Sequence, residues 1–289
     1  MVQPFSAEVC HINIKIMWTK VDMDDQSGKT VIVTGANAGV GFETALALYE
    51  KGAHVIAACR SLEKTQETIE KIKRHPGTGT LEAGVLDLSS MASVKQFAAD
   101  FSAKHQHLHI LINNAGVMRP PASKTAEGFE LQFGVNFIGH FALTGLLYPV
   151  LKATPASRIV TVSSNAYLRG KIDFDNFRLE KPYDKSGEYA QSKLADILFS
   201  IELQRRLAQT HDAVVSIAAQ PGANKTELFR HRDEEELKAA IARVGPLMEP
   251  WQGALPSLYA ATVADAVPGA LYGPDQDGGY RGYPAQFRN

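Results

Sequence analysis

The sequence is poor in cysteine, with Cys10 and Cys59 the only two among its 289 residues. So few thiols argue against a disulfide framework and agree with a reducing compartment, and we therefore expect a cytoplasmic protein. The chain lacks an uninterrupted run of 18 apolar residues, so we expect no transmembrane helix. Its first residues lack a basic segment followed by a long apolar core, which argues against a signal peptide.

The sequence also lacks an excess of charge of either sign. Its 30 Lys and Arg against 31 Asp and Glu give a formal net charge of -1. Nucleic acids and anionic membranes recruit basic surfaces, and neither partner is therefore expected. Hydrophobic residues make up 45% of the chain, which is ordinary for a globular protein long enough to bury a large core without disulfides.

Short β-branched runs alternate with helical patterns from residue 29 onward, whereas residues 1–27 show little periodicity. We interpret 1–27 as an N-terminal arm, flexible or docked on a partner, and 28–289 as one domain. Apolar runs that alternate with helices predict a doubly wound α/β sheet, buried on both faces. The predicted strands are Thr30–Thr34, Val55–Cys59, Leu81–Leu88, Ile110–Asn113, Arg158–Ser163 and Val214–Ala219. The predicted helices are Glu43–Glu50, Ser61–His75, one capped by Ser90, 127–152 and 189–208.

Two segments interrupt this alternation. Residues 165–188 follow the fifth predicted strand, and residues 223–250 follow the sixth. In an open α/β sheet, ligands bind beyond the carboxyl ends of the strands, and long loops in compact domains are more often functional than idle. We therefore expect both segments to cover a substrate. Plain surface loops are the alternative.

The first strand runs into the glycine-rich segment TGANAGVG (34–41), and a helix follows. Glycines allow a tight turn and a close approach to a pyrophosphate, and the helix N-terminus offers free N–H groups and the positive end of its dipole. Three glycines alone are weak, but their place between the first strand and the first helix is what dinucleotide binding requires. The expected contacts are Gly35, Asn37, Gly39, Val40 and Gly41.

The end of the second strand bears on the choice between NAD and NADP. An NAD site usually has an acidic residue about 20 positions beyond the glycines, where it binds the ribose 2′-hydroxyl. This sequence instead ends the strand with Cys59-Arg60. A guanidinium pairs with a 2′-phosphate, so Arg60 predicts NADP(H) as the cofactor, a solvated surface charge being the alternative. Further contacts are expected at the next strand ends, namely Asp87, Leu88, Asn114, Ala115 and Gly116.

Tyr189 and Lys193 are four residues apart in YAQSK, so they share one face of a helix. A free tyrosine, whose pKa is about 10, is a poor acid–base catalyst at neutral pH, but a nearby ammonium stabilises the phenolate. Such a pair is common by chance and usually structural. It gains weight only from the motifs that accompany it.

Those motifs are TGANAGVG (34–41), Asp87-Leu88, NNAG (113–116), Asn136, Ser163-Ser164, YAQSK (189–193) and Pro221-Gly222 with Thr226. With this order, the chain resembles the short-chain dehydrogenase/reductase family from about Gly28 to its C-terminus. The ACR triplet after the second strand, NNAGVM, the wide Ser–Tyr interval and RGYP (281–284) resemble the branch of retinol dehydrogenases, WW-domain-containing oxidoreductases and protochlorophyllide reductases. The resemblance implies a single-domain Rossmann fold, a doubly wound, mostly parallel seven-stranded sheet with helices on both faces.

The resemblance also implies roles for individual residues. Tyr189 would be the general acid in reduction and the general base in oxidation, and Lys193 would also bind the nicotinamide ribose. Ser164, rather than Ser163, would hold the substrate oxygen. Asn136 would lie at a helix distortion and hold a water in a proton relay to Lys193. The residues expected around the nicotinamide are Pro221, Gly222, Asn224 and Thr226.

These roles imply an NADP(H)-dependent oxidoreductase that interconverts a small-molecule carbonyl and its alcohol. An apolar, medium-sized substrate is expected from side chains at the predicted mouth, namely Met118, Tyr167, Leu168, Phe174, Leu228, Phe229 and Leu247. Two alternatives stay open: a non-catalytic NADP-binding sensor or scaffold, and a reductase of an activated C=C bond. A sensor predicts a broken catalytic tetrad, but all four members are present, Asn136, Ser164, Tyr189 and Lys193.

Metal binding and assembly complete these expectations. His105, His107 and His109 precede the fourth predicted strand and are interpreted as part of a polar loop, so no metal site is expected. In many members of the family, helices that correspond to 127–152 and 189–208 pair across a two-fold axis. This pairing implies a homodimer or homotetramer, unless the segment 165–188 blocks it and leaves a monomer.

Overall fold

The structure, a computed structural model, describes residues 17–226 and 244–287, together with Glu235, Lys238, Ile241 and Ala242. Within these residues, one sheet has eight strands in the order β3-β2-β1-β4-β5-β6-β7-β8. The strands are β1 Thr30–Thr34, β2 His54–Cys59, β3 Thr80–Val85, β4 Ile110–Asn113, β5 Arg158–Val162, β6 Val215–Ala219, β7 Leu271–Gln276 and β8 Arg281–Phe287. The helices are α1 Gly39–Glu50, α2 Leu62–Ile72, α3 Met91–Lys104, α4 Leu131–Phe133, α5 Gly139–Ala153, α6 Lys185–Gln209 and α7 Pro250–Thr262.

The sheet confirms the Rossmann architecture and has one strand more than the expected seven. Strands β1 to β7 pair in parallel, and β8 pairs antiparallel with β7 at the edge. The turn between them uses Asp277, Gly278 and Gly279, all with positive φ. Because β8 is a half-exposed edge strand that contains Gly282 and Pro284, it lacks the apolar run that marks the buried strands.

Alternate residues of the central strands serve two separate apolar layers. In β1, Val31 and Val33 face the layer that holds α1 and α7, whereas Ile32 faces the layer that holds α3 and α5. All three side chains are fully buried. Burial of one such side chain stabilises the fold by about 1.5–3 kcal/mol, so the two layers hold the strand ends in place for the site.

The N-terminal boundary of the domain differs from the prediction. Trp18 is 8% exposed, and its ring meets that of Tyr259 edge-on at 5.3 Å. Met23 is buried, and the backbone N–H of Gln26 donates to the carbonyl of Lys51 at 2.7 Å. This part of the predicted arm therefore packs as part of the domain, which begins before residue 28. Residues 1–16, with Cys10, lie outside the described residues.

The stretch Leu131–Ala153 is the one described helix that is long and apolar enough to cross a membrane by length and composition. Its side chains Leu143, Leu147 and Leu151 are fully buried in the layer beneath the sheet. A core helix of a folded domain has this burial pattern. The absence of a membrane span stays a prediction.

Candidate active site

A cavity of about 1080 Å³ lies beyond the carboxyl ends of strands β1 to β6. The strand order reverses between β1 and β4, and open α/β sheets bind ligands at such a point. Every cofactor contact expected from the sequence lines this cavity: Gly35, Asn37, Gly39, Val40, Gly41, Arg60, Asp87, Leu88, Asn114, Ala115, Gly116, Tyr189, Lys193, Pro221, Gly222, Asn224 and Thr226.

The glycine-rich turn forms a cradle that side chains would fill. Gly35 has a φ of +67°, and a Cβ there would lie 2.8 Å from the Cα of Ala115. A Cβ on Gly41 would lie 2.3 Å from the carbonyl oxygen of Gly35. No side chain caps α1 at Ala38, so the first N–H groups of the helix are left for a ligand. These features fit the pyrophosphate of a dinucleotide.

The cavity is lined by more basic than acidic side chains among the described residues. Arg60 follows β2, and Lys64 lies in the first turn of α2 and lines the same cavity. Asp87 is the one acidic residue among the described side chains that line it, against five cationic ones: Arg60, Lys64, Arg119, Arg169 and Lys193. Such an excess favours an anionic ligand. The sequence prediction omitted Lys64. Its position four residues after Arg60, one turn along a predicted helix, is a signal that could have found it.

Hydrogen bonds fix the ends of the third and fourth strands. The Asp87 carboxylate accepts from the backbone and hydroxyl of Ser89, both through Oδ1, which leaves Oδ2 for a ligand. The amide of Asn114 donates to the Thr34 carbonyl at 2.8 Å, and the Thr34 hydroxyl accepts from the backbone N–H of Ala115 at 2.9 Å. The backbone after β4 is therefore held against β1, where it forms one wall of the cavity.

Tyr189 lies in the second turn of α6, 5% exposed, against Met118 and Ala166. It shares the cavity with Ser164. The hydroxyl of Ser163 donates to the Lys193 carbonyl at 2.7 Å, whereas that of Ser164 only accepts, from the Ala166 N–H at 3.2 Å. The Ser164 hydroxyl is therefore the one whose donor is free of a bond within the described residues, and its role toward a substrate oxygen stays a prediction.

The ammonium of Lys193 is buried and bonded. It donates to the carbonyl of Val162 at 2.9 Å and to Asp196 Oδ2 at 2.8 Å. Burial lowers the pKa of Lys193, but the electrostatic effects of Asp196 and Tyr189 raise it by more than burial lowers it. The pKa of Lys193 therefore lies above its ordinary value. Burial raises the pKa of Asp196 to about 6 in spite of Lys193. Asp196 was missed from sequence, although an acid three residues after Lys193 on a buried helix face is a signal.

Asn136 lies where the helix changes pitch, as expected. Residues Gly134–Ile138 form a π-helical turn between α4 and α5. The Asn136 amide donates to the Val117 carbonyl at 3.0 Å and to Ser192 Oγ at 2.9 Å, and its Oδ1 accepts from the Val117 N–H. A Cβ on Gly116 would lie 3.3 Å from Asn136 Oδ1 and 3.9 Å from Lys193 Nζ. Asn136 thus lies behind the cavity wall, and its role in a water relay stays a prediction.

His140 holds the backbone at this distortion. One ring nitrogen, Nδ1, is 2.8 Å from the carbonyl oxygen of Asn136, and the other, Nε2, is 2.9 Å from the hydroxyl of Thr34. Complete burial lowers the pKa of His140 to about 4. A neutral imidazole therefore links the π-helical turn to the end of β1.

Two of the residues expected at the substrate mouth line the cavity, Met118 and Leu247. Leu168 and Phe174 do not; they are 69% and 79% exposed, because the loop turns their side chains to solvent. Tyr167 instead packs on the cluster around Ile197. Leu228 and Phe229 lie outside the described residues. Other apolar residues supply the wall, namely Leu131, Val135, Val162, Ala166, Ile241 and Val244.

The two interrupting segments reach the cavity only in part. From 165–188, the cavity is lined by Asn165, Ala166, Arg169 and Ser186, which belong to the ends of the segment. From 223–250, it is lined by Ala223, Asn224, Thr226, Ile241, Val244 and Leu247. The Asn224 side chain is 4% exposed and donates to the Pro221 carbonyl, so Asn224 offers the cavity mainly backbone.

Comparison with known proteins agrees with this geometry. The family described as short chain dehydrogenase matches residues 29–237. Human retinol dehydrogenase 13 is 43% identical over 244 residues, which cover 82% of this chain and 73% of that protein. Human retinol dehydrogenase 11 is 48% identical over 204 residues, 71% of this chain and 64% of that protein.

Two solved structures share the fold over nearly the whole chain. An uncharacterised protein from Mycobacterium paratuberculosis superposes with a TM-score of 0.78 and 34% identity, covering 95% of this chain and 90% of that one. The NADP complex of RhlG from Pseudomonas aeruginosa superposes with a TM-score of 0.67 and 25% identity, covering 86% and 94%.

Proposed function

Since this chain belongs to the short-chain dehydrogenase/reductase family, in its retinol dehydrogenase branch, we propose that it is an NADP(H)-dependent enzyme that interconverts an apolar alcohol and its carbonyl. Membership of this family supports the general part of the proposal, that the protein is an oxidoreductase of alcohols and carbonyls. One observation carries the proposal: a single cavity joins the glycine cradle and Arg60 at one end to Ser164, Tyr189 and Lys193 at the other.

The catalytic residues move one proton. Bound nicotinamide supplies or accepts the hydride. In reduction, the Tyr189 hydroxyl gives its proton to the substrate oxygen, and in oxidation the phenolate removes it. Ser164 orients the same oxygen through its free donor. The buried Lys193 ammonium stabilises the phenolate electrostatically, and Asp196 tempers that effect.

The preference for NADP(H) rests on charge. Arg60 and Lys64 line the cavity after β2, where they would hold a 2′-phosphate, and Ser61 caps α2 between them. A guanidinium and an ammonium both favour a phosphate, and a 2′-hydroxyl would leave them without a partner. Within the described residues no carboxylate ends β2 to bind that hydroxyl.

The proposal of an apolar substrate depends on the apolar side chains that share the cavity with Tyr189. The cavity is lined with aliphatic and thioether groups from Met118, Leu131, Val135, Val244 and Leu247. Removing an aliphatic substrate from water onto such a wall is favourable by about 25 cal/mol per Å² of apolar area. The retinol dehydrogenases that this chain resembles make retinal a first substrate to test.

The experiment follows NADPH and NADH oxidation with retinal, aliphatic aldehydes, ketones, quinones and an activated enone, for the native protein and Tyr189→Phe. We expect turnover of an apolar aldehyde with NADPH and a loss of at least about 10²-fold in Tyr189→Phe. Tight NADPH binding without turnover of any substrate would favour the sensor, and turnover of the enone alone would favour the C=C reductase.

Assembly and location are further proposals. We propose that two copies pair through α5 and α6, because Phe141 on α5 and Leu198 on α6 expose apolar surface, and the ring of Phe141 meets that of Phe199 of α6 at 5.5 Å. Light scattering measures the mass, and Phe141→Glu should shift it from dimer to monomer. A cytoplasmic location stays a prediction.

A further inference from the structure

A group of metal-binding side chains lies at the opposite end of the strands from the cavity. His54 begins β2, Glu82 lies in β3, and His105 follows α3. One ligand atom from each residue lies within 4.8 Å of the other two. None of the three takes part in the proposed reaction. We propose that they form a binding site for a divalent first-row metal ion such as Zn²⁺.

The fold brings these residues together for simple reasons of register. β2 and β3 pair so that His54 lies opposite Thr80 and Ile56 opposite Glu82. Since alternate residues of neighbouring strands share a face, His54 and Glu82 project to the same side. Helix α3 covers that side, as the contact of Phe97 with Gly84 shows. Its C-terminus then delivers His105 beside Glu82.

The distances suit a metal ion. Nε2 of His105 is 3.1 Å from Oε2 of Glu82, and Nε2 of His54 is 3.5 Å from the same oxygen. Two ligands on a tetrahedral Zn²⁺, each bonded at about 2.0–2.2 Å, are roughly 3.3 Å apart. Only small side-chain movements are therefore needed. Three protein ligands leave a fourth position for water.

An independent observation concerns the nitrogen of His54 that would bind the metal. Its Nε2 is buried and has no hydrogen-bond partner among the residues that the structure describes. Its Nδ1 is 2.6 Å from the hydroxyl of Thr80. When Nδ1–H donates to Thr80, Nε2 carries the lone pair that a metal ligand requires. Metal-binding histidines are oriented by such outer hydrogen bonds.

The neighbours define which ion fits. Two imidazole nitrogens and one carboxylate suit Zn²⁺ and similar ions, whereas Mg²⁺ and Ca²⁺ prefer oxygen ligands. The His105 ring stacks on Phe101 at 4.7 Å, which fixes its plane. The nearest cation, Lys104, is 3.6 Å from the other oxygen of Glu82, and its side chain is largely exposed. The ammonium can therefore move away when a metal binds.

The test measures binding of Zn²⁺, with Mg²⁺ for comparison, to the full chain without an affinity tag. We expect one Zn²⁺ per chain by calorimetry, no Mg²⁺ binding, and a Co²⁺ absorption spectrum typical of nitrogen and oxygen ligands. Glu82→Gln and His105→Ala should each weaken Zn²⁺ binding at least about tenfold, and Thr80→Val should weaken it less. His107→Ala, two residues along the chain from His105, should leave it unchanged.

Thermal unfolding is the second readout. Zn²⁺ should raise the Tm of the native protein and of His107→Ala, but not that of His105→Ala or Glu82→Gln. Equal affinity in all variants, or no stoichiometric Zn²⁺ on the native chain, would overturn the proposal. The test is separate from the proposed activity, because β2, six residues long, spans roughly 20 Å between this site and Arg60.

Discussion

Lys193 and Asp196 form an ion pair on α6, one turn after Tyr189, with 2.8 Å between Nζ and Oδ2. Both side chains are almost fully buried, and Asp196 Oδ1 has no hydrogen-bond partner. The carboxylate therefore offsets part of the lysine charge that would otherwise act on Tyr189. Lys193 lines the cavity and Asp196 does not, so in the proposed mechanism Asp196 would act on the proton transfer only through Lys193.

The first prediction removes that offset. Asp196→Asn keeps an oxygen that accepts from Lys193 but leaves the ammonium unneutralised, so the phenolate is stabilised more strongly. The pH at which alcohol oxidation reaches half its maximal kcat/KM should fall by about one unit. Glu202→Gln, on the exposed face of α6, is the matched control and should not move the profile. An unchanged profile in Asp196→Asn would show that the carboxylate has no electrostatic role.

The second prediction concerns the cofactor. Arg60→Ala removes a charge-assisted hydrogen bond, so the KM for NADPH should rise at least about tenfold while the KM for NADH stays within twofold. Lys64→Ala should act in the same direction, more weakly. Arg74→Ala, an exposed arginine after α2 that does not line the cavity, is the control. Equal effects of Arg60→Ala on both cofactors would contradict a 2′-phosphate contact.

The third prediction compares two glycines. A Cβ at Gly41 would lie 2.3 Å from the Gly35 carbonyl oxygen and 2.4 Å from Asn114 Nδ2. Gly41→Ala should therefore weaken NADPH binding at least about tenfold and destabilise the fold by about 1–3 kcal/mol. Gly145, within α5, meets nothing within 4 Å, so Gly145→Ala should stabilise by up to about 1 kcal/mol. Fluorescence titration and urea unfolding measure the two effects.

The fourth prediction uses the buried imidazole of His140. Its pKa is lowered to about 4 by burial, whereas an unfolded histidine titrates near ~6.5. Between these values the unfolded chain binds a proton that the native state does not. The contribution of neutral His140 to the free energy of unfolding is therefore complete above about pH 6.5. It is lost as the pH falls, and the loss is on the order of 3 kcal/mol by pH 4.

Urea unfolding from pH 4.5 to 7.5 checks this slope against His140→Gln, whose amide can replace both hydrogen bonds. The difference between the two proteins cancels the titration of other groups, such as Asp196. The variant should lose less stability at low pH than the native chain. Parallel plots of unfolding free energy against pH for the two proteins would mean that the pKa of His140 is the same in the folded and unfolded states.

The sequence predicted buried strands better than their exposed partners. Thr30–Thr34 and Ile110–Asn113 were predicted to the residue, because both are apolar runs buried on both faces and ended by glycine or asparagine. The start of α6 was placed four residues late, since Asp184 caps the helix outside the apolar pattern. β7 and β8 were both missed: β7 is buried but is interrupted by Gly273 and Pro274, and β8 is an edge strand that keeps one row of backbone groups and many side chains in solvent.

Motifs led to the residues that line the cavity, because glycine turns and strand ends are local features of the sequence. Contacts between distant segments have no such signature. Asp196 and His140 are polar residues on buried helix faces, and only the packed structure shows that they meet Lys193 and Thr34. Leu168 and Phe174 were wrong as mouth residues because an irregular segment, unlike a helix or strand, gives no rule for the direction of its side chains.

The π-helical turn Gly134–Ile138 also changes the phase of a long helix. A π-turn holds one residue more than an α-turn, and one residue corresponds to about 100° of rotation in an α-helix. Leu131 and Val135 therefore face the cavity, while Leu143 and its successors along α5 face the sheet. Deletion of a single residue here would restore regular pitch and turn either the substrate wall or the core face away from its partner.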